Sequence, residues 1–173
     1  TGAGAPNTLV GGSAGAALTD SYGNVAVGYQ SLDYETTADK NTAIGYLSLS
    51  GQRGGGSNTA VGYQSGVALV SGNNNVLIGT NAGDNMTLAD KCVVIGADAF
   101  RGNALVAADG NTVVGCEAGG DITAGTHSEP NVLMGLATGA LLTVGDGNVA
   151  VGAYALDAEV TGHKTTAVGF NAL

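Results

Sequence analysis

Few side chains in this sequence combine type and spacing in a way that does chemistry. The run Gly51-Gln52-Arg53-Gly54-Gly55-Gly56-Ser57 has the glycine density of a phosphate cradle. It lacks the Gly-Lys-Ser/Thr ending and a following helix, so it reads as a flexible turn. His127 and His163 stand in separate variable segments with no carboxylate or cysteine at a repeated distance. They read as surface histidines and not as metal ligands. Cys92 and Cys116 are too few for a disulfide framework and read as two free, largely buried thiols. Asp20, Asp39, Asp84, Asp90, Asp109 and Asp146 lie among Asn and Gly. Calcium held in a repeat β-roll needs GGxGxD spacing, so ordinary turn chemistry is expected of them. Asn85-Met86-Thr87 is a formal glycosylation tripeptide of the kind that arises by chance. No Ser/His/Asp set recurs at a consistent address, so no catalytic, metal-binding or cofactor-binding residue is assigned and no enzyme is expected.

Composition narrows the partners. Glycine supplies 31 of 173 residues, hydrophobic residues 44% and charged residues only 11%. That is too apolar for a disordered tail. Five basic against 14 acidic residues leave a net charge of -9, which disfavours nucleic acid and anionic membrane surfaces alike. The longest uncharged run, between Arg53 and Asp84, is broken throughout by Gly and Asn and is unsuited to spanning a bilayer. The start at Thr1 and the stop in mid-unit at Leu173 suggest a segment, residues 1–173, of something longer.

What must position all these residues is a repeat. NTLVG (7–11), NVAVG (24–28), NTAIG (41–45), NTAVG (58–62), NVLIG (75–79), CVVIG (92–96), NTVVG (111–115), NVLMG (131–135), NVAVG (148–152) and TTAVG (165–169) are copies of one unit. Their glycines, Gly11, Gly28, Gly45, Gly62, Gly79, Gly96, Gly115, Gly135, Gly152 and Gly169, are spaced 17 residues apart except for intervals of 19 and 20 after Gly96 and Gly115. Four residues before the glycine stands Asn7, Asn24, Asn41, Asn58, Asn75, Asn111, Asn131 or Asn148, with Cys92 and Thr165 the exceptions. The β-branched triplet between prefers extended backbone. A second short apolar stretch, as in Val67-Ala68-Leu69-Val70, Ala104-Leu105-Val106 or Leu141-Leu142-Thr143-Val144, precedes a turn. Each unit therefore reads as strand, turn, short strand, turn. A period this short predicts an all-β fold, a parallel β-solenoid of about ten coils and roughly 45–50 Å length.

Stacking turns columns of sequence into ladders. The asparagines should hydrogen-bond along the axis, and the glycines should mark a positive-φ turn or a close backbone approach. Tyr29, Tyr46 and Tyr63 follow three consecutive repeat glycines and should form an aromatic ladder. It reads first as packing at a coil rim or between chains, and second as a glycan-contact platform. Both positions before each glycine are apolar, and in a strand they point to opposite faces. One face fills the coil; the other needs a cover, most simply identical chains. The small Ala26, Ala43, Ala60, Ala150 and Ala167 are expected to allow close approach around the axis of a parallel homotrimer.

The N-[TV]-A-[VI]-G-x-x-[SA] unit resembles the head repeats of YadA-like trimeric autotransporter adhesins. NVAVGYQSL (24–32), NTAIGYLSL (41–49) and NTAVGYQSG (58–66) resemble repeats of bacteriophage tail fibres. The resemblance implies a left-handed parallel β-roll, trimeric, serving surface attachment. The expectation is a tail-fibre segment, extracellular or on a virion, binding a host glycan or protein receptor, with no cofactor and no membrane insertion. The alternative is a bacterial adhesin head. A β-helical glycan depolymerase ranks behind both, because its acids would need a broad face. An ice-binding array fares no better, since Val25, Val76, Val93, Val132 and Val149 interrupt the threonine column. Any receptor specificity is expected in the two longer turns, Arg101 to Asp109 and Asp121 to Pro130.

Overall fold

The computed structural model describes residues 6–101, 109–120, 122 and 130–173. Ala104, Leu105, Val106 and His127, and most of both longer turns, lie outside the described residues. Ten three-residue strands, β1 (Thr8–Val10), β2 (Val25–Val27), β3 (Thr42–Ile44), β4 (Thr59–Val61), β5 (Val76–Ile78), β6 (Val93–Ile95), β7 (Thr112–Val114), β8 (Val132–Met134), β9 (Val149–Val151) and β10 (Thr166–Val168), form one parallel sheet in sequence order. Every strand pairs with its successor in unshifted register, Thr42 to Thr59 and Ala43 to Ala60 for example. The chain is a β-solenoid of about nine turns.

The expected second strand is absent from the described residues. Val67–Val70 and Leu141–Val144 form turns and bends instead. Their backbones still pair axially: Ala68 N–H donates to Asp84 O at 3.2 Å and Val70 N–H to Thr87 O at 2.9 Å. The coil is too narrow for a second straight run, so the chain bends through left-handed residues. The second residue after each repeat glycine has φ between 49° and 58°, from Ser13 to Asn171. The fourth, Gly in five coils, is Leu32, Leu49, Phe100, Leu156 or Leu173 in the others and is also left-handed. Bulky side chains rarely adopt this conformation, which costs roughly 1–2 kcal/mol per residue. What offsets it is axial pairing. Leu32 N–H donates to Ser48 O in the next coil and Gln30 N–H to Gly12 O in the previous one, at 3.0 and 2.9 Å.

The interior corrects the expected placement of the alanines. Ala26, Ala43, Ala60, Ala150 and Ala167 are buried inside the coil, and the Val, Ile and Met of the next column face outward. Their smallness has another cause. In three coils the inward strand Ala accompanies a buried Leu six places later: Ala26 with Leu32, Ala43 with Leu49 and Ala150 with Leu156. Where the strand supplies Leu, the partner is Gly: Leu9 with Gly15, Leu77 with Gly83, Leu133 with Gly139. A Cβ on Gly15 would sit 2.8 Å from Leu9 Cδ2, and one on Gly83 3.2 Å from Leu77 Cδ2. In these coils one large side chain is supplied from either position, whereas Ala60 and Gly66 are both small and the space beside Gly66 is filled from the neighbouring coils by Leu49 and Leu77.

The repeat glycines meet two requirements at once. Gly62 has φ +143°, and a Cβ on it would fall against the Gly79 carbonyl of the next coil, far inside van der Waals contact. The glycine-rich turn is less free than expected. Cβ atoms on Gly51 and Gly55 would strike the Val67 and Gly72 carbonyls, and only Gly54 faces open space. Gly62→Val should therefore cost at least 3 kcal/mol, whereas Gly54→Ala should leave the thermal midpoint almost unchanged. Ala43→Leu, by overpacking, and Leu49→Gly, by leaving a cavity, should each cost about 2–4 kcal/mol. Combining them reproduces the Leu/Gly coil, so the double variant should melt higher than either single variant.

Candidate functional site

The asparagine column is the inner spine. Asn7 Oδ1 accepts the Asn24 N–H at 2.9 Å, Asn24 Oδ1 that of Asn41 and Asn41 Oδ1 that of Asn58, coil after coil. Each Nδ2 in turn donates to a carbonyl of the next coil, Asn58 to Gly72 O at 2.7 Å and Asn148 to Gly162 O at 2.7 Å. These amides are buried with donors and acceptors both used, which is what burial of so polar a group requires. Where the exceptions stand, Cys92 and Thr165 still give their N–H to the preceding asparagine at 2.9 Å.

A second ladder runs outside the first, and sequence reasoning missed it. Six residues before the repeat glycine, Tyr22 N–H donates to Asp39 Oδ1 at 2.8 Å and Gly56 N–H to Asn73 Oδ1 at 3.0 Å. Asn73 N–H donates to Asp90 Oδ1 at 2.6 Å and Asp90 N–H to Asp109 Oδ1 at 2.8 Å. In the same column Asp146 Oδ1 lies 2.7 Å from His163 Nδ1. Four of the six turn aspartates thus link coils. The signal in the sequence was present, an Asx recurring six places ahead of the glycine, but it is diluted by Tyr22, Gly56 and His163. Among the described residues no group of three or more His, Cys, Asp or Glu side chains is arranged to hold a metal. Asp84 lies elsewhere, its carboxyl pushed up by burial, with Arg101 opposing and Asp98 reinforcing the shift.

Two buried polar side chains were also missed. Glu35 and Gln52 occupy an interior column otherwise filled by residues such as Leu18, Leu69, Met86 and Leu142. Glu35 Oε1 accepts three successive backbone N–H groups, from Thr36, Thr37 and Ala38, at 2.8 to 2.9 Å. Gln52 Nε2 donates to Gly55 O. Both act on their own turns, so they brace the coil and form no site.

The tyrosines stack. Tyr29 and Tyr46 lie 5.5 Å apart at 16°, Tyr46 and Tyr63 5.3 Å apart at 7°. The rings occupy one another's faces, and the outer face of Tyr29 lies over Gly12, whose added Cβ would meet the ring at 3.3 Å. The three residues remain about half-exposed. Sugar stacking uses faces, so the geometry favours the packing role. His163 is exposed.

The thiols differ, which corrects the expectation of two buried ones. Cys92 is buried inside the coil, whereas Cys116 follows its glycine onto the exposed tyrosine column. No helix among the described residues is long and apolar enough to cross a membrane. No protein-family model, curated protein or solved structure matches the chain.

Burial pushes the Cys92 thiol from 9.0 up to about 11, against the pull of the Asn111 and Gly110 amides. The unfolded thiol ionises first, so Cys92 subtracts stability as pH rises from about 9 towards 11. A thiol-exchange reagent at pH 8 should label Cys116 first. The second should react only when the chain unfolds. Rapid labelling of two thiols in the folded protein would contradict this placement.

Proposed function

We propose that this chain is a structural and adhesive segment of an extracellular fibre, a parallel homotrimer of the kind found in phage tail fibres, holding a particle or cell to a host surface. One observation carries the reading. The two outward columns of the strands, Thr8 to Thr166 and Val10 to Val168, and the column after the glycine, Gly12 to Phe170, contain no Asp, Glu, Lys, Arg or His at any of their thirty positions (three in each of ten coils). The same chain carries 19 charged residues elsewhere.

An apolar stripe this long is an association surface, and the occupant that suits it is another copy. Its coils repeat with the same rise, so identical chains in parallel register match along the full length. With a net charge of -9 on each copy, mutual repulsion is least where this face meets itself. The resemblance of the repeat unit to trimeric adhesin heads and tail fibres favours three copies. Ten-fold repetition of one coil suits a load-bearing rod better than a catalytic cleft, and the bacterial adhesin head differs from this reading only in what the rod is attached to.

Light scattering at micromolar concentration should give about three times the 16.7 kDa chain mass. A short bismaleimide should link Cys116 between copies, since parallel register puts all three at one height. Ile78→Glu, which places a charge on the stripe without touching the coil interior, should yield a folded monomer. A stable wild-type monomer would overturn the assembly.

A further inference from the structure

The outer Asx ladder has a missing rung. In the coils on either side, the backbone N–H of this column is taken by a side-chain oxygen one coil on, as Tyr22 is by Asp39 and Asn73 by Asp90. The Asp39 N–H should be taken by residue 56, but that residue is glycine. A Cβ there would lie 3.8 Å from the Asp39 nitrogen and against the Asp39 carbonyl at 3.0 Å, on the side from which the other rungs reach. Among the described residues the Asp39 N–H has no acceptor. Gly54, two residues before it on the same groove, adds no side chain to the space.

The gap opens into a surface groove of about 350 Å³ whose walls include Asp39, Lys40, Ser57, Asn73 and Asn74. Its groups are mixed. The Asp39 amide, the Lys40 ammonium, the Ser57 hydroxyl and the Asn74 amide donate, while the Asp39 carboxylate and the Asn74 carbonyl accept. The Lys40 ammonium lies 5.6 Å from the Tyr22 ring centroid. A group that fits such a lining must donate and accept over short distances, as vicinal hydroxyls do. An anion would meet the Asp39 carboxylate and the field of a chain at -9. The volume, near the lower end of the ~300–1,000 Å³ of small-ligand sites, suits one sugar ring.

We infer that the notch at Gly56 is a binding site for a neutral hexose unit of a surface glycan, one hydroxyl taking the place of the missing rung as acceptor for the Asp39 N–H. The inference rests on the attachment reading and gives it a ligand class and an address. In the fibre the site occurs once per chain, so weak single contacts add by multivalency.

The test uses four probes: the methyl glycosides of mannose, glucose, galactose and N-acetylglucosamine. Ligand-observed saturation transfer reads binding, and the backbone amide shifts of Asp39 and Ser57 in titrations locate it. At least one probe should saturate and move both amides. Gly56→Asn restores the rung found in neighbouring coils. It should leave the assembly mass unchanged and weaken that binding at least tenfold. Lys40→Ala, which leaves the ladder intact, should weaken it severalfold. Silence from all four probes, or binding that survives both variants, would overturn the site. A trimer without sugar binding sinks this inference and spares the fibre; a monomer that binds sugar does the reverse.

Discussion

Axial hydrogen bonding between successive coils is the constraint on which the rest depends. With strands of only three residues, most of the backbone lies in turns, and its N–H and C=O groups still need partners. They find them one coil above or below. Left-handed residues at the corners turn donors alternately towards the preceding and following coil, as Gln30 and Leu32 do. Gly62 and its equivalents let the next carbonyl approach where any Cβ would block it. The buried asparagines supply a third set of bonds along the same direction, where the chain enters the strand.

That constraint explains why bulky Leu and Phe are held in a conformation they normally avoid. The strain at each is a kcal/mol or so, while losing the corner would strand buried donors and acceptors in two coils at once. It also explains the reciprocal core. Coil spacing is fixed by the hydrogen bonds, and Ala26 with Leu32 or Leu77 with Gly83 are two ways of filling the interior it leaves. A solenoid stacked this regularly has little room for a cleft. What the coil turns outward is a charge-free stripe along the strands, and turns whose side chains differ from coil to coil.

Much was legible without coordinates. The ten-fold unit, its phase, its strand core, the special backbone at the glycines and the inter-coil role of the asparagines follow from recurrence alone. In a stacked fold, each sequence column is one physical environment sampled ten times, and the residue types it tolerates describe that environment. The tyrosine stack follows in the same way, because in-register neighbours must lie one rise apart.

Only the tertiary structure decided which apolar column points inward. Strand alternation separates Ala43 from Ile44 but is symmetric between the faces, and small residues suit a tight axis as well as a narrow interior. The answer came from the opposite wall, where Leu49 fills the space that Ala43 leaves. Contacts of this kind, across the coil and between columns of different phase, are invisible to alignment on one glycine. The same holds for the outer Asx ladder, for the exposure of Cys116 against the burial of Cys92, and for the gap at Gly56. A missing side chain has meaning only once the side chains above and below it have been placed.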